Sequence, residues 1–281
     1  MSKTWFAPAK INLFLHINSK RDDGYHNLQT IFQLIDYCDE LKFSTTKSAE
    51  IIRVSGNECV HENKDLIILA AQALQRETGI GLGAKISVIK NIPSGGGLGG
   101  GSSDAACTLI ALNQLWKTQL SDTELMKIGL KLGADVPLFI KGQSAWAEGI
   151  GEILTPMKLP NHYFLVVSIN KHISTKEIFS HKALTMTQQI GKMSDFSMLT
   201  EPHNDCLQAA IELESEILEV INYLKSLDGY IYEPRMTGTG SCVFLEFKEK
   251  KDVMVAYNNL PKKWLGFQAQ AINSSPILSP S

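Results

Sequence analysis

The sequence predicts an α+β fold built in two halves. Strand-like and helix-like patterns of apolar side chains are mixed along the chain, without the strict alternation of strand and helix that a parallel sheet requires. Pro156 and Pro160 interrupt the chain near its middle, and its 281 residues are enough for two domains. We therefore predict an N-terminal domain over residues 1–155 and a C-terminal domain over residues 156–281.

The individual elements follow from local patterns. Apolar and polar side chains alternate over residues 11–17, a turn follows at 22–24, and residues 28–35 are again apolar, which predicts a β-hairpin. Ser121 and Glu124 form a capping-box pattern that opens a helix ended by Gly133. The other predicted elements are helices over 65–75 (ended by the glycines at 79, 81 and 83), 105–116 and about 206–227, strands over 85–90, 163–169 and 242–247, and a surface tail over 274–281.

Composition limits the classes of function. The chain is 44% hydrophobic and 20% charged, which is typical of a globular protein, and its net charge of -2 argues against a general nucleic-acid binder while leaving room for a local basic pocket. No apolar run approaches the roughly 18–20 residues of a membrane span, and the first residues leave no room for a secretory signal. The five cysteines are odd in number and form no C-x-x-C pair, so we expect free thiols rather than disulfides or a zinc site. These features predict a cytoplasmic protein that binds neither nucleic acid nor membranes, as a monomer or a weak homodimer.

A glycine-rich loop between a predicted strand and a predicted helix is the strongest feature of the sequence. Six glycines would let backbone N–H groups converge on an anion, and the following helix would add unpaired N–H groups and the positive end of its dipole. A flexible linker is a poor alternative inside a domain. We therefore predict that the loop binds nucleotide phosphates through Pro93, Ser94, Gly95, Gly96, Gly97, Leu98, Gly99, Gly100, Gly101, Ser102 and Ser103.

Other kinds of phosphate-binding loop are also rich in glycine, and each has its own sequence requirements. A Walker A loop needs Lys followed by Ser or Thr after its second glycine, whereas Gly100 is followed by Gly101. The dinucleotide fingerprint is matched literally by Gly95, Gly97 and Gly100, but Asp122 lies in a helix cap rather than at a strand end, so an oxidoreductase is the weaker interpretation. A protein kinase is excluded, because neither H-R-D nor D-F-G occurs in the chain.

Two further motifs accompany the glycine-rich loop. Residues 7–13 read A-P-A-K-I-N-L, and residues 236–244 read M-T-G-T-G-S-C-V-F. In this order, with the loop between them, they resemble the GHMP small-molecule kinases, a family that includes galactokinase and the homoserine, mevalonate and phosphomevalonate kinases. Residues 23–26, 133–137 and 173–179 narrow the resemblance to the branch that phosphorylates the 2-hydroxyl of a cytidine diphosphate-linked methylerythritol in the non-mevalonate route to isoprenoids.

The resemblance carries expectations about fold and chemistry. It implies an ATP-dependent kinase that uses Mg²⁺, with an N-terminal half like ribosomal protein S5 domain 2, a ferredoxin-like C-terminal half, and an active site in the cleft between them. Asp104 departs from the pattern, because some relatives have Asn there. Another GHMP kinase, of the mevalonate or homoserine type, and a non-catalytic nucleotide-binding regulator are the alternatives, and the presence of both Lys10 and Asp135 argues against the regulator.

Asp135 is the candidate catalytic base. From the sequence alone it could equally be a turn aspartate just past a helix end, but the resemblance assigns it to catalysis. Lys10 and Asn12 stand two residues apart on a predicted strand and therefore share a face. The resemblance implies that Lys10 keeps Asp135 ionised and polarises the substrate hydroxyl, and that Asn12 hydrogen-bonds the substrate. An ionised carboxylate can then accept the hydroxyl proton as the bond to phosphorus forms.

Aromatic side chains are the candidates for recognising the substrate. Tyr25, His26 and Phe179 could each be ordinary packing residues, but in the related kinases aromatic groups at these places sandwich and read cytosine. Residues 237–240 could be a simple turn, and the resemblance makes them a second loop of small residues that closes on the site. The adjacent pair Asn204 and Asp205 is interpreted as a helix cap without a catalytic role, and the magnesium ligands are not assigned.

Overall fold

The protein, in a computed structural model that describes residues 3–58, 60–187 and 202–278, has the predicted mixture of strands and helices. Its strands are β1 (Thr4–Lys20), β2 (His26–Thr46), β3 (Ile51–Ser55), β4 (Gly83–Ile89), β5 (Ala145–Glu148), β6 (Ile153–Pro156), β7 (Tyr163–Ser168), β8 (Arg235–Met236), β9 (Val243–Phe247) and β10 (Leu265–Ile272). Its helices are α1 (Leu66–Thr78), α2 (Gly100–Trp116), α3 (Asp122–Leu132), α4 (Val136–Lys141), α5 (Thr175–Ser180), α6 (Leu207–Leu213), α7 (Glu216–Lys225) and α8 (Lys250–Asn258), with short 3-10 helices at Glu62–Lys64 and Pro276–Leu278.

One hydrogen-bonded sheet runs through both halves of the chain. Its order is β3-β4-β2-β10-β7-β9-β8, with β1 and β5 paired to β2 and β6 paired to β5. The predicted hairpin is confirmed as the antiparallel pair β1 and β2. The last strand, β10, pairs with β7 along most of its length and then with β2 through Ala271 and Ile272. The α+β prediction is confirmed, and the boundary between residues 155 and 156 stays a prediction.

Local capping explains where the N-terminal helices begin and end. Asp65 caps α1 by accepting a hydrogen bond from the backbone N–H of Ile67, and Gly79 ends the helix in the left-handed conformation that favours glycine. The predicted capping box of Ser121 and Glu124 is present at the start of α3, which ends at Gly133 as predicted. These boundaries depend on contacts between near neighbours, so the sequence pattern was enough to find them.

Three features of the prediction are wrong: the extent of the glycine-rich loop, the continuity of one helix and the exposure of the tail. The glycine-rich segment was expected to be a loop throughout, but its last four residues form the first turn of α2. The long helix expected over 206–227 is interrupted at Glu214, which has an extended backbone and whose carboxylate accepts a 3.3 Å hydrogen bond from the backbone N–H of Glu216 at the start of α7. The carboxylates of both residues also bind the Lys171 ammonium, at 2.9 and 3.4 Å. The expected surface tail is docked as far as it is described, with Ile277 fully buried. Residues 279–281 of that tail lie outside the described ranges.

Apolar side chains form three cores. The first lies between the N-terminal strands and α1 to α4, and the second lies between the C-terminal strands and α6 to α8. The third core joins the two halves, because it combines Ile11 and Leu13 of β1 with Phe164 of β7 and Phe244 of β9. The two halves are therefore packed on each other through a shared apolar layer.

The described residues include four of the five cysteines and all of the helices named above. Cys38, Cys107, Cys206 and Cys242 are free thiols there, and Cys59 falls outside. Across the described residues, none of the helices combines the length and the apolar character that crossing a bilayer demands.

His16 is a buried histidine at the contact between β1 and the segment that precedes α6. Its ring packs on His203, with ring centroids 4.3 Å apart, and its Nε2 atom has no hydrogen-bond partner among the described residues. The pKa of His16 is lowered to about 4, mainly by burial and then by the charge of His203, against the opposing charge of Asp205. As the pH falls from 6.5 to about 4, the unfolded chain takes up a proton at this position that the folded chain does not, so stability decreases.

We expect that replacing His16 with Phe removes this loss of stability in acid. Relative to the unaltered protein, His16→Phe should gain on the order of 2–3 kcal/mol in the free energy of unfolding between pH 7 and pH 4, because one unit of pKa shift corresponds to about 1.4 kcal/mol. Urea unfolding at several pH values measures the difference. His61→Asn, at an exposed histidine, is the control and should not change the slope. If the free energy of unfolding changed with pH in the same way for His16→Phe and the unaltered protein, His16 would not be the source of the loss of stability in acid.

Candidate active site

A cleft of about 790 Å³ opens where the predicted motifs meet. Parts of β1, the glycine-rich segment, the turn before α4, the start of α5 and the loop after β8 all contribute to its walls. The predicted site residues that line it are Lys10, Asn12, Tyr25, His26, Gly95, Gly97, Gly99, Ser102, Asp135 and Phe179. The other predicted loop residues do not line the cleft, and Ser94 and Gly101 among them are exposed. Leu98, by contrast, is buried in the third core, and Ser103 is fully buried.

At Gly95, Gly97 and Gly99 the glycine-rich segment packs so closely against neighbouring atoms that a side chain has no room. Gly95, Gly97 and Gly99 have φ angles of 70°, 75° and 73°, in the left-handed region that favours glycine. A Cβ atom on Gly97 would lie 2.1 Å from the carbonyl oxygen of Thr237, and one on Gly99 would lie 2.9 Å from the ring of Phe139. The cleft is therefore bordered by bare backbone, as a site that binds a phosphate group requires.

The N-terminus of α2 is prepared for an anion. The helix has 17 residues, begins at Gly100, and has no side-chain hydrogen bond at its cap residue, Gly99. The first N–H groups of a helix have no partners within it, so they attract negative charge. The fully buried Ser103 hydroxyl, in this first turn, is also without a partner in the described part of the chain. Unused donors and a buried hydroxyl together fit a phosphate ligand or its metal ion.

Lys10, Asn12 and Asp135 form one polar group at the centre of the cleft. The Nζ atom of Lys10 lies 3.5 Å from Oδ2 of Asp135 and donates a hydrogen bond of 2.6 Å to Oδ1 of Asn12. The Lys10 side chain is 4% exposed and the Asp135 side chain 31% exposed. Asp135 is thus the member that reaches the open cleft, and Lys10 stands behind it. The prediction that Lys10 and Asn12 share a face of the strand is confirmed by their contact.

Thr237 connects this polar group to the glycine-rich segment. Its Oγ1 atom accepts a hydrogen bond of 3.0 Å from the backbone N–H of Asn12 and donates one of 3.2 Å to the carbonyl oxygen of Gly97. The sequence identified residues 237–240 only as a loop of small residues, and the specific part played by this hydroxyl was missed. The motif over residues 236–244 could have indicated this role, because Thr237 is one of its few residues whose side chain can form hydrogen bonds.

Asn204 holds the same loop from the other side. Its Oδ1 atom accepts a hydrogen bond of 2.9 Å from the backbone N–H of Cys206, and its Nδ2 atom donates hydrogen bonds of 2.8 Å to the carbonyl oxygens of Met236 and Gly238. The predicted helix cap is wrong, because the cap residue of α6 is Cys206 and the helix has no side-chain hydrogen bond at its cap. The loop that closes on the cleft is fixed at its start by this amide.

The predicted aromatic residues gather at one end of the cleft. The rings of His26 and Phe179 stack with centroids 5.1 Å apart and an interplanar angle of 20°, so no flat group fits between those two rings. Tyr25 is 59% exposed and also lines the cleft. Burial, and then the charge of Lys20, lower the pKa of His26. His26 is therefore neutral at neutral pH, with one ring nitrogen able to donate and the other able to accept.

Charged residues that the sequence did not single out make the cleft basic. Lys20 and Lys176 line it together with Lys10, and Asp135 is the one carboxylate among the lining residues that the structure describes. His172 also lines the cleft, so close to the loop that a Cβ atom on Gly95 would lie 2.2 Å from its Nδ1 atom. A slightly acidic chain thus presents a basic cleft, which fits anionic ligands.

Comparisons with known proteins agree with this geometry. A family model described as "GHMP kinases N terminal domain" matches residues 65–143, and one described as "GHMP kinases C terminal" matches residues 187–265. The 4-diphosphocytidyl-2-C-methyl-D-erythritol kinase of Ruthia magnifica subsp. Calyptogena magnifica is 63% identical over 279 residues, which cover 99% of this chain and 98% of the relative. The enzyme of that name from Shewanella baltica (strain OS195) is 46% identical over 282 residues, with coverage of 99% and 97%.

Solved structures give the same result. A crystal structure of 4-(cytidine 5'-diphospho)-2C-methyl-D-erythritol kinase superposes with a TM-score of 0.81 at 29% identity and covers 95% of this chain and 98% of its own. The mevalonate kinase of Methanococcus jannaschii shares the fold, with a TM-score of 0.68 at 18% identity and coverage of 97% and 99%. The match of Gly95, Gly97 and Gly100 to the dinucleotide fingerprint is therefore a coincidence of spacing. The chain belongs to the GHMP kinase family and groups within it with the 4-diphosphocytidyl-2-C-methyl-D-erythritol kinases.

Proposed function

We propose that this protein uses ATP to phosphorylate the 2-hydroxyl of 4-diphosphocytidyl-2-C-methyl-D-erythritol. The observation that carries the proposal is the position of Asp135, paired with Lys10, in a basic cleft between the glycine-rich segment and the aromatic residues. Relatives that are 46–63% identical over nearly the whole chain carry the name of this kinase. The activity supplies one step of isoprenoid precursor synthesis by the non-mevalonate route.

Asp135 is proposed to act as the general base. Its carboxylate takes the proton of the substrate hydroxyl while the hydroxyl oxygen forms its bond to the γ-phosphorus and the bond to the leaving ADP oxygen breaks. Lys10, 3.5 Å from Asp135, stabilises the ionised carboxylate and stands close enough to polarise the same hydroxyl. Asn12 orients Lys10 by accepting its hydrogen bond. Asn12 is itself held in place, since its Nδ2 atom donates a 2.8 Å hydrogen bond to Thr30.

The residues present fit a nucleotide that carries Mg²⁺. The glycine-rich segment and the N-terminus of α2 are proposed to hold the phosphates, and the hydroxyls of Ser102 and Ser103 and the carboxylate of Asp135 are oxygen donors of the kind Mg²⁺ prefers. The described residues contain no group of three or more His, Cys, Asp or Glu able to hold a metal by themselves, which suits an ion held mainly by phosphates. When bound, the ion neutralises charge on the phosphates.

The aromatic end of the cleft is proposed to bind cytosine. Tyr25 offers an exposed ring, and the Phe179 ring is backed by His26 on one side. Stacking against such rings contributes roughly 1–3 kcal/mol per base and does not distinguish one base from another. The neutral His26 ring, or its backbone, is proposed to supply the hydrogen bonds that select the base edge. An alcohol kinase of the mevalonate or homoserine type would have no use for this group, so the cytidyl alcohol is the substrate that the site favours.

Gly97 provides a test of the nucleotide loop. Gly97→Ala forces a left-handed alanine and places its Cβ against the carbonyl oxygen of Thr237, so we expect ATP affinity, measured by calorimetry, to fall about tenfold or more, the effect of losing one charge-assisted hydrogen bond. Gly79→Ala is the matched control, because Gly79 has a φ of 66° but no atom within 4 Å of its Cβ position. Gly79→Ala should lower the stability of the protein and leave its ATP affinity unchanged. Unchanged ATP affinity in Gly97→Ala would refute the loop assignment.

Asp135 provides a test of the chemistry. Asp135→Asn removes the proton acceptor. It does not remove a helix cap, because the Asp135 side chain makes no capping hydrogen bond at the start of α4. We expect kcat to fall on the order of 10²–10⁴-fold with the fold intact and both KM values little changed. Lys10→Met should also lower kcat, and the double variant should lose less than the product of the two effects, because the residues act as a unit. Turnover of Asp135→Asn close to that of the unaltered enzyme would exclude general-base catalysis by this residue.

Tyr25 provides a test of substrate recognition. Because the Tyr25 side chain is largely exposed, Tyr25→Ala should leave the melting temperature unchanged and raise KM for the cytidyl alcohol about ten- to a hundredfold, as loss of stacking implies. KM for ATP should not change. Phe179→Ala should show the same selectivity together with a lower melting temperature, since Phe179 packs against the second core. A Tyr25→Ala enzyme with unaltered KM for the cytidyl alcohol would contradict the proposed cytosine site.

A further inference from the structure

We propose that Asp39, Lys90 and Asp104 form a buried ionic clamp, here called the stem clamp, which joins the two ends of the glycine-rich segment and thereby sets the affinity for nucleotide. These are positioning residues: they act on the site through the segment and the start of α2. The inference rests on the proposed use of ATP and assigns a part in nucleotide binding to three residues outside the cleft lining.

Hydrogen bonds define the stem clamp. Lys90, which directly follows β4, donates from Nζ to Oδ2 of Asp39 on β2 and, over 2.6 Å, to Oδ2 of Asp104 on α2. Asp39 also accepts hydrogen bonds of 2.6 and 2.8 Å at Oδ1 from the backbone N–H groups of Asn91 and Ile92. The chain entering the glycine-rich segment and the helix leaving it are therefore both tied to one point on β2.

The stem clamp also stands directly behind the proposed phosphate site. Asp104 follows Ser103, whose buried hydroxyl has no partner among the described residues. A Cβ atom on Gly100, the first residue of α2, would lie 3.0 Å from the Ile92 side chain and 3.5 Å from Oδ2 of Asp39. A shift of the clamp would therefore displace the helix start whose N–H groups are proposed to meet the nucleotide.

Stability alone does not explain such a cluster. Asp39 and Asp104 are 0% and 2% exposed, and two carboxylates share one ammonium. Buried ion pairs can often be replaced by apolar residues of similar size without loss of stability, because desolvation offsets most of the attraction between the charges. What apolar residues cannot reproduce is the direction of the hydrogen bonds that run from β2 to both ends of the segment. We therefore infer that the clamp is retained for its geometry.

The charge state of Asp104 indicates which substitution is conservative. The pKa of Asp104 is raised to about 8, because burial and the charge of Asp39 outweigh the opposing effect of Lys90. Burial thus favours the protonated form of Asp104 beside the Lys90–Asp39 ion pair. Asn at position 104 would keep the acceptor for Lys90 and the neutral charge, whereas Leu would remove the acceptor and keep the approximate size.

Nucleotide binding to substituted proteins tests the clamp. Binding of MgADP, measured by calorimetry without the alcohol, should weaken about tenfold in Asp104→Leu, the size expected for one lost charge-assisted hydrogen bond. Asp104→Asn should bind MgADP within about twofold of the unaltered protein. In turnover, Asp104→Leu should raise KM for ATP by a similar factor, with kcat at saturating substrates and KM for the alcohol nearly unchanged. Lys90→Met should weaken MgADP binding further, and if it fails to fold, the two variants at position 104 still decide the question.

Glu246→Gln is the matched control, since it breaks another buried ion pair, with Arg235, and neither of these two residues lines the cleft or bonds to the clamp. It should lower the melting temperature and leave MgADP affinity unchanged. The clamp is overturned if Asp104→Leu binds MgADP as tightly as the unaltered protein, or if Asp104→Leu and Glu246→Gln weaken binding equally. Because the calorimetric readout contains no alcohol, it is independent of the substrate proposed above, which fails separately if the unaltered protein binds MgADP but does not phosphorylate the cytidyl alcohol.

Discussion

The close approach of two backbones, at Gly97 and Thr237, is the constraint on which the cleft depends. No side chain fits at Gly97, because its Cβ would lie 2.1 Å from the carbonyl oxygen of Thr237. The Thr237 hydroxyl bridges this contact to the backbone of Asn12. The amino-terminal motif, the glycine-rich segment and the carboxy-terminal loop therefore meet at one point, and each motif is held in place by the other two.

Charge in this protein is organised locally. The chain as a whole has a net charge of -2, yet the described residues that line the cleft include three lysines and one aspartate. The basic lining favours the phosphates of both proposed substrates, and the single aspartate is the residue proposed to accept the proton. Net charge consequently argued against a general nucleic-acid binder but could not indicate the character of the site.

Buried titratable groups surround the site at some cost in stability. Burial holds His16 neutral by lowering its pKa, and burial favours a proton on Asp104 by raising its pKa. In both cases burial favours the uncharged form, because a charge buried away from water is costly. His16 lies where β1 meets the carboxy-terminal half, and Asp104 lies beneath the glycine-rich segment. The two groups thus mark the places where the halves, and the two ends of the segment, are joined.

Local features of the sequence determined much of the result. The alternation along β1, the cap of α3 and the run of glycines each depend on residues within a few positions of one another, so the pattern alone predicted them. The order of the motifs was enough to identify the family, and it placed Lys10, Asn12 and Asp135 in one site. Roles within that site rest on distances, which no local pattern contains.

Tertiary structure decided the contacts between residues far apart in sequence. The hydrogen bond from Asn12 to Thr237 spans 225 positions, and the carboxylates at the junction of α6 and α7 pair with Lys171, some forty residues earlier in the sequence. The stem clamp likewise unites Asp39 and Asp104, which belong to a strand and a helix. Helix and strand periodicity reports which face of an element is apolar, but it carries no information about which distant polar group will meet that face. Those pairings follow from the packing of the sheet and the helices as a whole.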